Sequence, residues 1–328
     1  AWHQGFLGAD LVYRRKTRSW HVGRIPKGDG WDPDYASPLA APGLGVKEGD
    51  QIVAVAGQSV GAKRSPEECL VHQADQPVSL TLRRKGGGSR TITVKTLGAE
   101  HALRYRDWVE ANRAHVHRAT QGRVGYVHVP DMGPRGFAEF HRYYLSEVEH
   151  DGLIVDVRFN GGGHVSQLIL QKLLRKRIGY GKPRWGEAYS YPAHAPLGPM
   201  VGLTNEYAGS DGDMFSHGFK TYGLGPLIGV RKWGGVVGIW PRHALIDGTV
   251  TTQPEFSAWN FDGGFGVENY GVDPDIEVEI KPQDHAAGED SQLERGVKEI
   301  RKILKRTRIP RPDFDDRPDL APPSLPDA

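Results

Sequence analysis

Strands and helices alternate along the second half of this sequence, and no other feature constrains its fold as strongly. Strand patterns are predicted over 125–129, 153–158, 200–204 and 227–230. Helical patterns follow the first three strands, at about 135–149, 164–177 and 211–222. Such alternation predicts a parallel sheet covered by helices, an α/β architecture. A last helix is expected over about 291–307, where apolar residues again recur at helical spacing.

The sequence up to about residue 97 carries a different pattern. Short strand-like runs are predicted over 6–13, 20–25, 51–55, 78–83 and 91–94, separated by Gly-rich turns. A helix is expected from about Ser65, because Pro66 suits its first position and Glu68 completes a capping box with that serine. The predicted segments are a β domain (1–97), a helical connector (98–124), an α/β domain (125–307) and a Pro-rich, disordered tail (308–328).

Composition argues against several classes of partner. The 328 residues include 42 basic and 40 acidic side chains, interspersed to a net charge of +2, so no basic stripe predicts nucleic-acid binding. No run approaches the roughly 18 apolar residues of a membrane span. Cys69 is the single cysteine, which leaves no disulfide framework and no cysteine cluster for zinc. We therefore expect a cytoplasmic protein without a metal, cofactor, membrane or nucleic-acid partner.

The strand predicted over 153–158 ends in three consecutive glycines, Gly161, Gly162 and Gly163, and a helix follows at once. Glycines let a ligand approach the backbone, and a helix N-terminus offers unpaired N–H donors. The turn could hold an oxyanion or a phosphate, but no G-K-[S/T] follows, so a nucleotide loop is not favoured. A tight turn that needs positive φ would account for one or two of these glycines without any function.

Ser210 lies at a second Gly-rich turn between a predicted strand and a predicted helix. One interpretation is an N-cap, with Asp211 and Asp213 in the first helical turn. The other is a nucleophile held at the sheet edge, as in the α/β-hydrolase elbow, although no G-x-S-x-G is present. The two roles are compatible. Together, the two turns offer what acyl transfer requires, a presented hydroxyl and preorganised N–H donors.

The run 38–57, with its Gly-Asp turn before a hydrophobic strand, resembles the PDZ family. In that family a Gly-rich loop near the position of Gly5-Phe6-Leu7-Gly8 holds the C-terminal carboxylate of a peptide. Peptide capture is one implied role, and a module that only spaces or covers an active site is the other.

Four motifs resemble those of tricorn proteases, in the same order and at similar spacing: RFNGGG at 158–163, NEYAGSDGD at 205–213, WGGVVG at 233–238 and GVENYGVDPD at 266–275. The resemblance implies a crotonase-like catalytic domain of β-β-α units after the PDZ-like module. It implies Ser210 as nucleophile, the N–H groups of Gly163 and Asp211 as oxyanion donors within a substrate-binding turn that includes Gly161 and Gly162, and Glu268 as the acidic member of the catalytic tetrad. The implied reaction is hydrolysis of oligopeptides, such as proteasome products, through an acyl-enzyme. A homo-oligomer, a hexamer by resemblance, is also implied.

The resemblance breaks at the general base. In tricorn proteases a His before the PDZ module serves as the base, and no position here matches it. The family's β-propeller domains have no match in this sequence either. His217 lies seven residues beyond Ser210 on the same predicted helix, about 10.5 Å along its axis, and His164 is a weak candidate beside a helix N-terminus. Related C-terminal processing proteases use a Lys where Gly235 stands, and the nearby Lys232 does not match. We therefore expect this chain alone to be inactive or very weak.

Substrate preference and a rival function stay open. Tricorn proteases can place an Asp after Ile-Gly-Tyr to select basic residues, whereas Gly181 occupies that position here. The rival is a non-catalytic PDZ-type peptide-binding protein whose second domain is only a crotonase-like scaffold. A crotonase-type enzyme acting on an acyl thioester would use the same oxyanion donors. That interpretation does not explain the PDZ module or the Ser-Asp pair at a helix start.

Overall fold

A computed structural model describes residues 3–30, 32–84 and 86–316. The chain forms two compact units, residues 1–111 and 112–328. The boundary between the units falls inside a long helix, α1 (His101–Thr120), which occupies most of the predicted connector. In the described part of the chain, no helix is both long enough and apolar enough to cross a membrane.

The first unit is an antiparallel sheet whose strands are two to seven residues long. Its strands are β1 (Leu11–Arg14), β2 (Ser19–Val22), β3 (Gln51–Val55), β4 (Gln58–Ser59), β5 (Pro77–Arg83) and β6 (Ser89–Lys95), in the order β1-β2-β3-β5-β6 with β4 paired to β3. Strand β5 shows the alternation that lets one face of this sheet form a core. Val78, Leu80 and Leu82 are buried, and the residues between them are exposed or half-buried. The predicted β module is confirmed.

The prediction of a helix from Ser65 is wrong, because only one helical turn forms there. The capping box forms as predicted, since Glu68 N donates to Ser65 Oγ (3.2 Å) and Ser65 N donates to Glu68 Oε1 (3.1 Å). It opens only a single 3₁₀ turn, Glu68–Leu70. His72 then adopts a φ of +59°, which no helix can continue through. Two more 3₁₀ turns, Pro33–Tyr35 and Pro38–Ala40, lie in this unit.

The second unit is built on a parallel sheet, as the alternation predicted. Its strands are β7 (Val124–His128), β8 (Gly152–Asp156), β11 (Met200–Thr204), β12 (Leu227–Gly229) and β17 (Ile276–Glu277), in the order β17-β12-β11-β8-β7. Every pairing in it is parallel, for example Val124 with Gly152. The helices are α2 (Pro134–Glu147), α3 (Ser166–Leu173), α4 (Asp211–Thr221), α5 (Pro282–Ala287) and α6 (Ser291–Leu304). Helix α3 is shorter than the predicted 164–177.

Short hairpins complete the second unit. They are formed by β9 (Gly179–Gly181) with β10 (Tyr189–Tyr191), β13 (Gly238–Ile239) with β16 (Pro254–Phe256), and β14 (His243–Ala244) with β15 (Val250–Thr251). Of the predicted disordered tail, residues 317–328 lie outside the described residues. Residues 308–316 form no helix or strand, but Arg311 pairs with Asp151 and the Phe314 ring lies edge-on to Tyr180 at 6.3 Å.

A buried ionic network fixes the carboxyl end of β8. Arg158 is 1% exposed, and its guanidinium donates to Asp156 (2.7 Å) and to Asp290 (2.8 Å). Asp290 also caps α6 by accepting from Leu293 N, while Tyr126 Oη donates to Asp156 at 2.8 Å. The arginine lowers the pKa of Asp156 against the opposing effect of burial. The network therefore ties the sheet to α6 immediately before the triple-glycine turn.

Replacing Arg158 by methionine should destabilise the second unit by about 3–5 kcal/mol, because Asp156 would remain buried without its cation. Equilibrium unfolding in urea measures the loss. Arg301→Met, on the exposed face of α6, is the matched control and should stay within about 0.5 kcal/mol of the parent chain. An equal, small effect for both variants would show that the network does not stabilise the fold.

Candidate active site

Ser210 occupies the bend between β11 and α4 in a strained conformation. Its φ is +55° and its ψ −125°, a combination that L-residues rarely adopt. It stands at the N-cap position, but its side chain makes no capping hydrogen bond. Within the described residues its half-buried hydroxyl has no hydrogen-bond partner. The capping interpretation therefore does not account for this serine, and its hydroxyl is available to a substrate.

The two Gly-rich turns, predicted from separate parts of the sequence, lie against each other. A Cβ placed on Gly162 would stand 2.6 Å from Ser210 Cβ and 3.1 Å from Ser210 Oγ. Gly162 also has a φ of +77°. Close approach and backbone conformation both require glycine at this position.

The backbone donors of the triple-glycine turn are not equivalent. Gly161 N donates to Pro130 O at 3.0 Å, and Gly162 N donates to Asn160 Oδ1 at 2.9 Å. Among the residues that the structure describes, the N–H groups of Gly163 and Asp211 have no acceptor. Of the four predicted residues of this turn and helix start, Gly163 and Asp211 are therefore the ones with donors to offer.

Asn160 and the Asp211 carboxylate hold the turns together. Asn160, fully buried, donates through its side-chain Nδ2 to Val129 O (2.8 Å), and its backbone carbonyl accepts from Gly209 N (3.1 Å). The Asp211 carboxylate accepts from Ser166 N (2.9 Å) and Ser166 Oγ (2.5 Å) at the start of α3. Asn before Gly is a turn signal in the sequence, but only the folded chain shows that Asn160 bridges both turns.

Glu268 is fixed by the third motif. Its Oε2 accepts from Val236 N (2.8 Å) and Val237 N (2.6 Å). The same segment carries Trp233, whose ring packs on Gly209, where a Cβ would lie 2.7 Å from it. Contacts therefore link the four motifs in series: Gly162 lies against Ser210, Trp233 against Gly209, and Glu268 accepts from the third motif.

The other candidate residues lie elsewhere or are engaged. The His164 ring stacks on Trp240 at 4.5 Å, and His217 pairs with Asp262 at 3.3 Å. Gly181 lies in β9 opposite Tyr189, and a Cβ on it would meet that ring at 2.2 Å. An aspartate at 181 would therefore displace the tyrosine.

The predicted carboxylate-binding loop of the first unit is already occupied. Gly8 N donates to Glu100 Oε1 at 2.9 Å, so a carboxylate of the chain itself lies where a peptide terminus was expected. Gly5 N and Phe6 N donate to the carbonyls of Leu70 and Leu97. These contacts weaken the case for peptide capture at this loop.

One group with metal-ligating side chains occurs in the described part of the chain. His117, Glu147 and His150 bring their ligand atoms within 4.8 Å of one another. Glu147 already accepts from Tyr126 N (3.0 Å) and pairs with Arg113 (3.1 Å). These contacts account for the group as an ion-pair network that joins α1 and α2 to β7.

Residues 5–99 match the family described as tricorn protease PDZ domain, and residues 123–278 match peptidase family S41. The first unit thus matches a tricorn protease PDZ domain, and the second matches a family of peptidases. Tricorn protease homolog 1 of Streptomyces coelicolor is 48% identical over 324 residues, which cover 98% of this chain and 29% of that protein. Tricorn protease of Thermoplasma volcanium is 48% identical over 308 residues, 94% of this chain and 30% of that protein.

A crystal structure of the tricorn protease agrees in fold. It superposes with a TM-score of 0.88 at 45% identity, covering 92% of this chain and 29% of that one. The predicted fold, a PDZ-like β module followed by a domain with a parallel sheet that matches a peptidase family, is confirmed. This chain spans about three tenths of the length of these relatives.

Proposed function

We propose that the second unit is the catalytic domain of a serine peptidase that hydrolyses peptides through an acyl-enzyme on Ser210. One observation carries the proposal: within the described residues, a strained serine whose hydroxyl has no partner lies against Gly162, and the N–H groups of the adjoining Gly163 and Asp211 have no acceptor. That arrangement supplies both a nucleophile and donors for the oxyanion that forms when a carbonyl is attacked.

The proposed reaction assigns each step to a residue. Ser210 Oγ attacks the peptide carbonyl, its proton passes to a general base, and the N–H groups of Gly163 and Asp211 hold the developing oxyanion. The base returns the proton to the leaving amine, and water then releases the acyl group. We assign Glu268 as the acidic member of the catalytic tetrad, whose charge assists the proton transfer. We assign the base to a His before the PDZ module, as the family resemblance implies. His164 and His217 are engaged with Trp240 and Asp262 and are not assigned this role.

Turnover of fluorogenic peptides tests the proposal. The chain should be measured alone and after extension at its N-terminus by about 100 residues from its own reading frame, a domain-sized segment. This longer form is called the extended protein. We expect hydrolysis by the extended protein and little by the short chain. Robust Ser210-dependent hydrolysis by the short chain would show that the base lies within it. C-terminal peptide binding that persists without Ser210, and no hydrolysis by either protein, would support the non-catalytic alternative.

The finer expectations belong to the same proposal. We assign oligopeptides, including proteasome products, as substrates, a cytoplasmic location, and a homo-oligomer, a hexamer by family resemblance. Gly181 in place of an acidic residue gives no basis for a preference for basic side chains. Light scattering of the extended protein measures its assembly, and a peptide library measures the side chain preferred before the cleaved bond.

Replacing Glu268 by glutamine should lower kcat of the extended protein by about 10²-fold with KM nearly unchanged, since the charge acts during proton transfer rather than in binding. Steady-state kinetics give both constants. Glu289→Gln, an exposed residue outside the site, is the control and should retain full activity. A change confined to KM would assign Glu268 to substrate binding instead.

A further inference from the structure

Two oppositely charged side chains are buried directly behind the Ser210 turn. Asp213 in the first turn of α4 is 0% exposed, and Lys232 in the third-motif segment is 2% exposed. Neither has a part in the reaction outlined above. Buried charges are costly unless they are paired and hydrogen-bonded, so their presence here calls for a function.

Lys232 connects the nucleophile helix to the segment that holds Glu268. Its Nζ donates to Gly212 O at 2.6 Å, immediately after Asp211. Its own backbone N–H donates to Val272 O at 3.3 Å. A few residues later, Val236 and Val237 donate to Glu268. The lysine therefore joins the helix start to the loop that carries the predicted acidic residue.

Asp213 has an incomplete environment. Neither carboxylate oxygen makes a well-aligned hydrogen bond within the described residues. The backbone N–H groups of Gly234 and Ser210 approach it, Lys232 attracts it and Glu268 repels it. Its own N–H donates to Ser210 O at 2.8 Å, which fixes the turn.

We propose that the buried residues Lys232 and Asp213 position the Ser210–Gly212 turn, Lys232 through its hydrogen bond to Gly212 O and Asp213 through its N–H bond to Ser210 O, so that the Asp211 N–H stays aimed at the oxyanion. Lys232 is a positioning residue rather than the general base, because its amine is buried and donates to Gly212 O. The effect of the pair on chemistry rests on the proposed peptidase function. Its effect on the order of the turn does not.

Amide hydrogen exchange at residues 209–214 tests the positioning role without any need for catalysis. Lys232→Met should speed exchange there at least tenfold at pH 6.5, while Lys220→Met, near the C-terminal end of α4, should leave it unchanged. Unchanged exchange in a folded Lys232→Met variant would overturn the inference.

Binding of a peptide boronic acid, compared with the same peptide ending in an alcohol, tests the consequence for the oxyanion site. The parent protein should prefer the boronate, Ser210→Ala should remove the preference, and Lys232→Met should reduce it at least tenfold without weakening the alcohol. A parent protein with no preference would refute the proposed function, while hydrogen exchange would still decide the role of the pair.

The double variant Asp213→Asn/Lys232→Met guards against failure to fold. If Lys232→Met alone unfolds because the Asp213 carboxylate stays buried with no cation in its surroundings, the neutral double variant should fold and still exchange faster than the parent at 209–214. Parent-like protection in the double variant would mean that packing, not the hydrogen bond from Lys232 to Gly212 O, positions the turn.

Discussion

Ser210→Ala in the extended protein should lower kcat/KM for peptide hydrolysis by about 10⁴-fold or more, because no acyl-enzyme can form without the hydroxyl. The turn should survive, since Ser210 Oγ makes no capping bond whose loss would disturb α4. Relief of a strained non-glycine conformation is not expected either, because alanine carries the same Cβ. Steady-state kinetics and a stopped-flow search for a burst of product measure the effect.

A second serine provides the control for this prediction. Ser146 is exposed on α2, and Ser146→Ala should change kcat/KM by less than about twofold. Circular dichroism and the unfolding midpoint should match the parent in both variants. A burst that survives Ser210→Ala would mean that another residue is the nucleophile.

The sequence was sufficient where function depends on local patterns. Glycines at a strand end and a serine before a helix indicated the two turns, and the order of four motifs indicated the family. The sequence was insufficient for contacts that join distant segments. Nothing near Asn160 shows that its carbonyl will meet Gly209, and nothing near Lys232 shows that its amine will reach Gly212.

The helix expected at Ser65 illustrates the opposite limit. Its capping box is a correct local signal, and both of its hydrogen bonds form. A cap, however, only starts a helix, whereas packing of an amphipathic face sustains it. Here the positive φ of His72 ends the helical path after one turn. The sequence also could not show that the PDZ loop is occupied, because the carboxylate that accepts from Gly8 N belongs to Glu100, far along the chain.

Gly162→Ala should lower kcat by about 10²-fold, the scale expected when a nucleophile is displaced by about 1 Å. The added Cβ would lie 2.6 Å from Ser210 Cβ, so the serine turn must move. Backbone strain alone cannot produce this effect on rate. Left-handed φ at a non-glycine residue costs about 1–2 kcal/mol of stability wherever it occurs.

Gly122→Ala separates the two contributions. Gly122 has a φ of +72°, close to the +77° of Gly162, but no atom lies within 4 Å of its added Cβ. Both variants should therefore lose the stability that a left-handed φ costs, and Gly162→Ala should lose more because its Cβ must displace the serine turn. Only Gly162→Ala should lose activity and boronate binding. Equal activity in the two variants would show that Ser210 tolerates displacement, and the close approach of the two turns would then have no catalytic purpose. Loss of kcat at Gly162 alone would instead tie the reaction to the contact between the triple-glycine turn and the serine.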